Sequence, residues 1–134
     1  MNKCTCGNIK DEKYLMCLDC YNNKVESENI NNWLNLLKEN WINKNINNIV
    51  SLFSADCKCY DTPFSKNGNL CEDWSEIKEQ TILDIQYKIL MRNKYEFIVE
   101  FTIQYENEIC SAINHIKLNE ALKCFYLKQW YMCK

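Results

Sequence analysis

Between residues 27 and 53, apolar side chains recur at helical spacing. Ile30, Trp33, Leu34, Leu37 and Trp41 fall at offsets 0, 3, 4, 7 and 11, which lines one face of an amphipathic helix. Ser27 stands where an N-cap is expected. Ile46, Ile49, Val50 and Phe53 repeat the pattern, with a turn predicted at Asn43-Lys44-Asn45. A short strand is expected over Cys57 to Tyr60, ended by Asp61-Thr62-Pro63 because proline fixes its own φ and biases the residue before it to extended geometry. Asp73, with Glu76 three residues on, predicts the capped start of a third helix carrying Trp74 and Ile77.

Beyond Ile85 the period falls to two. Tyr95, Phe97, Val99, Phe101, Ile103 and Tyr105 alternate with Glu96, Ile98, Glu100, Thr102 and Gln104, the pattern of a strand with two different faces. Further strands are predicted over Ile85 to Met91, Ile109 to Leu118 and Leu122 to Tyr131. Three helices followed by a four-stranded antiparallel meander give an α+β fold, with the helices on one face of the sheet.

The first 24 residues lack such a pattern and have cysteines in its place. Cys4, Cys6, Cys17 and Cys20 form a C-x-C pair and a C-x-x-C pair separated by ten residues. Paired thiolates at this spacing suit a tetrahedral zinc ion. Gly7, directly after Cys6, lets the backbone bend toward the metal. A segment this short cannot fold on apolar burial alone, and metal binding would organise it. Four thiolates close the coordination sphere, so the expected zinc is structural. The chain thus divides into a zinc module at 1–24 and an α+β domain at 25–134, joined by a polar stretch from Asn22 to Asn29 that reads as a linker.

Composition narrows the partners. The 134 residues carry a net charge of −2, and Arg92 is the only arginine. Lys3, Lys10, Lys13 and Lys24 exceed the acids of the N-terminal module by one charge only, so a phosphate-binding surface is not expected. Nothing near the N-terminus reads as a signal peptide, and no stretch reaches the length of a membrane-spanning helix. An intracellular, cytoplasmic protein is therefore expected, and in a reducing compartment the ten cysteines read as metal ligands or small apolar core residues. Cys57 and Cys59, on one strand face, are the alternative place for a second metal.

The element order and several segments resemble the nuclear transport factor 2-like superfamily, in particular its SnoaL-like members. These segments are Trp33 and Trp41 in the first helix, Ile49-Val50-Ser51-Leu52-Phe53-Ser54-Ala55-Asp56, Tyr60-Asp61-Thr62-Pro63-Phe64, Leu70 to Ile77, and the aromatic ending from Lys123 to Tyr131. Where many members have glycine before the third helix, this chain has Cys71. The resemblance implies a cone, a curved antiparallel sheet wrapped around three helices with a pocket at one end. Members include isomerases, dehydratases and epoxide hydrolases as well as binding and dimerisation modules.

On that fold, the acid–base candidates are Tyr60, Asp61 and His115, the only histidine. Trp33, Trp41, Phe64, Tyr87, Phe97 and Phe101 are the candidate pocket aromatics. The sequence leads to a non-catalytic binding or adaptor protein, with a small apolar ligand or a protein partner and pairing as a homodimer through the sheet. The alternative is a pocket enzyme using Asp61 and His115, which requires both to converge inside the cone. A zinc-dependent nucleic-acid binder is the third reading.

Overall fold

The computed structural model describes residues 3–11, 16–62, 64, 69–70 and 74–133. Helix α1 spans Leu18–Ile42 and α2 spans Ile46–Val50. Strand β1 is Phe53–Tyr60 and the two-residue β2 is Asn69–Leu70. A 3₁₀ helix, Ser75–Glu79, precedes β3 (Ile82–Asn93), β4 (Glu96–Tyr105), β5 (Ile109–Leu118) and β6 (Cys124–Cys133). They form an open six-stranded sheet in the order β2-β1-β6-β5-β4-β3.

The four-strand meander is antiparallel throughout, but β1 joins its far edge by running parallel to β6. The sheet is therefore mixed at that seam, where a wholly antiparallel one was expected. Register shifts interrupt the β1–β6, β3–β4 and β5–β6 ladders. Bulges of this kind bend strands and increase their twist, and so curve the sheet around the helices.

The core lies between α1 and the inner face of the sheet. Ile30, Trp33, Leu34, Leu37 and Trp41 of α1 are buried, the residues picked out by the helical pattern. They join Phe53, Phe97, Val99, Phe101, Ile103 and Ile116 in one cluster. Each fully buried aliphatic contributes about 2 kcal/mol through removal of apolar surface from water. The Trp33 ring meets Phe53 at 5.8 Å and Phe97 at 6.4 Å, and its indole N–H donates to the Leu52 carbonyl at 3.1 Å. That bond satisfies the polar edge of a ring too large to bury otherwise.

Two expectations about the helices need correction. The first helix does not start at Ser27. It begins at Leu18 and runs unbroken through the polar stretch Asn22 to Asn29 that reads as a linker. Polarity there marks about two partly exposed turns of the helix, because nothing in that stretch breaks it. The third helix is only the 3₁₀ segment Ser75–Glu79, and Asp73, its expected cap, lies outside the described residues.

The cysteines differ more. Cys110 and Cys133 face each other across β5 and β6 and form a disulfide, and Cys59 is also disulfide-bonded. Strand pairing brings such residues together in space, which spacing along the chain cannot show. A second metal on Cys57 and Cys59 does not fit this arrangement. The arrangement also departs from the expectation that the cysteines outside the zinc module are reduced thiols. Among the described residues no helix is long and apolar enough to cross a membrane.

Candidate functional site

The N-terminal cysteines converge. The sulfurs of Cys4, Cys6, Cys17 and Cys20 all lie within 4.8 Å of one another. A tight hairpin presents the first pair. The Cys4 carbonyl accepts from the Gly7 N–H at 2.8 Å, the Cys4 N–H donates to the Asn8 carbonyl at 2.8 Å, and Lys3 bridges to Ile9. Gly7 has φ +95°, a left-handed conformation that a side chain disfavours. The second pair belongs to the start of α1. Cys17 is its N-cap, and the Cys17 sulfur accepts from the Cys20 N–H at 3.4 Å.

The surroundings favour thiolate. Backbone N–H groups of Cys6 and Cys17 lower the Cys4 pKa to about 6. The Cys20 N–H lowers that of Cys17, while hydrogen bonding to Cys6 pushes Cys20 up. Four thiols this close cannot all ionise by themselves, since like charges repel. A divalent cation removes that conflict, so the donor set fits a metal ion. A second group of potential ligands, Glu108, Cys110 and Cys133, does not, because its cysteines are tied in the disulfide.

A cavity of about 560 Å³ opens between α1 and the inner face of the sheet. Leu37 and Trp41 line it from α1, and Cys59 and Asp61 from β1 and the residue after it. Trp74, Glu76, Ile77 and Gln80 come from the 3₁₀ segment and its flanks. The sheet adds Phe101, Tyr105, Asn114, Leu127, Gln129 and Tyr131. Trp41 packs edge-on to Trp74 at 5.5 Å and to Phe101 at 6.1 Å. Burial and a hydrogen bond with Tyr131 push the Tyr105 phenol up, so it stays neutral. The Trp41 indole nitrogen and the Gln80 amide oxygen are buried without a hydrogen-bond partner among the described residues.

Of the six expected pocket aromatics, only Trp41 and Phe101 line this cavity. Trp33 and Phe97 are core residues, 3% and 1% exposed, that fill the space between helix and sheet. Tyr87 is turned toward α1, where its hydroxyl donates to Asn35 Oδ1 at 2.9 Å. Phe64 is 88% exposed. An aromatic count carries no information about which end of a helix faces an opening.

The acid–base candidates separate as well. Asp61 lines the cavity. His115 and Tyr60 lie on the opposite face of the sheet, because side chains alternate along β5 and β1 while the inner positions Ala112, Asn114, Ile116, Cys57 and Cys59 are buried. There the His115 Nε2 meets Glu96 Oε2 at 2.6 Å, and its ring contacts Tyr126 at 5.2 Å. Tyr60 rests on Tyr126 at 5.6 Å. His115 and Asp61 thus do not converge, and no concerted acid–base step between them fits this geometry. Asn114, Gln129 and the tyrosine pair were not picked out from the sequence. The alternation along β5 put Asn114 opposite His115, and a polar residue in an otherwise apolar inward row was the available signal.

No protein-family profile and no curated protein matches the sequence. Solved structures do. A nuclear transport factor 2-like protein of unknown function from Burkholderia xenovorans superposes with a TM-score of 0.63 at 15% identity, covering 79% of this chain and 84% of that one. A steroid delta-isomerase from Pseudomonas aeruginosa gives 0.55 at 10%, covering 80% and 79%. An epoxide hydrolase of the LEH-like type from Mycobacterium tuberculosis gives 0.53 at 7%, covering 75% and 80%. At such identities the likeness is one of backbone architecture. The chain has the α+β fold of the nuclear transport factor 2-like proteins, with a four-cysteine cluster at its N-terminal end.

Proposed function

We propose that this chain is a non-catalytic binding or adaptor protein in which zinc organises residues 1–24 and the following domain holds a small ligand with an apolar body. The observation that carries this reading is the unbroken helix α1. Cys17 and Cys20 stand at its first turn, and Leu37 and Trp41, near its last, form a wall of the cavity. Metal site and cavity wall are two ends of one element. Zinc is favoured over other metals by the all-sulfur donor set. A tetrahedron of Zn–S bonds near 2.3 Å has edges of about 3.8 Å, and the Cys6 and Cys17 sulfurs stand 3.6 Å apart.

Pairing of two copies is part of the proposal. On the outer face of the sheet Met91 pairs with Ile98, and two positions along Ile113 pairs with Trp130, which makes an apolar stripe across two neighbouring rows with Met91 68% and Trp130 40% exposed. Isologous burial of that stripe would produce a homodimer.

A pocket enzyme is the second reading. It is supported by Asp61 and the Tyr105–Tyr131 pair at the cavity, and by folds shared with an isomerase and an epoxide hydrolase. The separation of His115 from Asp61 counts against its acid–base form.

Native mass spectrometry of protein purified without added metal or chelator tests the proposal. One zinc per subunit, a dimeric mass and a retained small molecule are expected. A metal-free chain with its four N-terminal thiols fully alkylatable would sink the zinc part, and a monomer would sink the pairing.

A further inference from the structure

The cavity wall is chemically one-sided. Asp61 and Glu76 line it, and neither makes a hydrogen bond or ion pair with the described residues. No lysine, arginine or histidine is among the described lining residues. Five aromatic rings surround the same space: Trp41, Trp74, Phe101, Tyr105 and Tyr131.

Asn114 adds an independent pointer. It is 3% exposed and is the buried polar residue of the described inner sheet face. Its amide makes one long contact, Nδ2 to the Ala112 carbonyl at 3.5 Å, and Oδ1 has no protein donor among the described residues. Asn114 lines the cavity, so a ligand N–H can donate to Oδ1 where the described residues supply no donor.

From these features we infer that the cavity takes a protonated organic amine, its N–H directed at Asn114 Oδ1 and its apolar body set against the Trp41 and Trp74 rings. This rests on the reading of the cavity as a ligand site and specifies the ligand's charge. Aromatic faces attract a cation through their quadrupole, and the carboxylates at Asp61 and Glu76 add a Coulomb attraction that salt weakens. An anion meets the carboxylates of Asp61 and Glu76. A purely apolar ligand leaves the Asn114 oxygen unsatisfied.

The test uses tryptophan fluorescence, since Trp41 and Trp74 line the site. The probe is N,N-dimethylbenzylamine, compared with benzyl alcohol and phenylacetate, which carry the same ring without charge and with the opposite charge. The amine should bind about tenfold more tightly than either, and more weakly as salt rises. Asn114→Leu should cost about tenfold in affinity, as expected for one hydrogen bond to a charged group. Asn114→Asp, of nearly the same shape, should strengthen binding, and thermal unfolding of both variants checks that they fold. Preference for benzyl alcohol or phenylacetate, or weaker amine binding by Asn114→Asp, overturns the cationic assignment and leaves a ligand cavity standing. If none of the three probes binds and native mass spectrometry finds no retained molecule, the ligand-site reading falls with it.

Discussion

Arg92 on β3 meets Glu26 on α1 at 3.3 Å, with side chains only 16% and 20% exposed. The same guanidinium donates to the Asn23 and Lys94 carbonyls and to Asn23 Oδ1. The chain's one arginine therefore fastens the N-terminal half of α1, just beyond the cysteine cluster, to the β3–β4 hairpin. A planar fork of five donors reaches acceptors spread on both sides of it, whereas an ammonium's three donors all radiate from one nitrogen.

Arg92→Lys should therefore be destabilising although it keeps the charge, by about 1–2 kcal/mol. Urea unfolding measures this. A midpoint equal to that of the unsubstituted chain would show that the clamp is only a surface contact.

Metal removal should loosen the start of α1 before it affects the sheet. Cys17→Ser removes one sulfur of the cluster while leaving a hydroxyl that can still accept from the Cys20 N–H, so it isolates the metal's part. Loss of bound metal and faster amide exchange over residues 18–26 are expected, while β4 and β5 remain protected. Uniform loss of protection would mean that cluster and sheet unfold as a single unit.

The pH dependence has a definite sign at Glu96. The hydrogen bond from His115 holds its carboxyl below the usual range, with Lys117 at 3.8 Å adding to the effect. A carboxylate whose pKa is lower folded than unfolded contributes stability above the unfolded pKa and loses it as pH falls through the folded value. Stability should thus decline more steeply in acid for the natural chain than for Glu96→Gln. Parallel curves from pH 6 to pH 3 would remove Glu96 from the account. Its half-exposed position keeps the expected difference small.

The Cys110–Cys133 disulfide closes a loop between residues 23 apart in the chain. Constraint of the unfolded chain by such a loop is worth about 3 kcal/mol. The Cys110→Ala, Cys133→Ala double variant should lose about that much. In the natural chain, neither residue should be alkylated before reduction, and alkylation of both would rule out the bond.

The helical run from Ile30 to Trp41, the alternation along β4 and the metal-ligand spacing of the four N-terminal cysteines were all legible in the sequence. Each is local. A helix face and a strand face repeat at fixed periods, and thiol pairs carried on a tight hairpin and a helix start need only short-range geometry to converge. Alternation along β5 also set Asn114 on the face opposite His115, though only the structure showed that face to be the inner one.

Only the tertiary structure decided which groups meet. The parallel β1–β6 seam brings Asp61 to the cavity and leaves Tyr60, one residue earlier, on the outer face. The closing of β5 against β6 pairs Cys110 with Cys133, and the end of α1 at which the cavity opens selects Trp41 over Trp33. Periodicity settles the face on which a side chain lies. Strand partner and depth within the fold depend on contacts between residues far apart in sequence, and these leave no repeat along the chain to read.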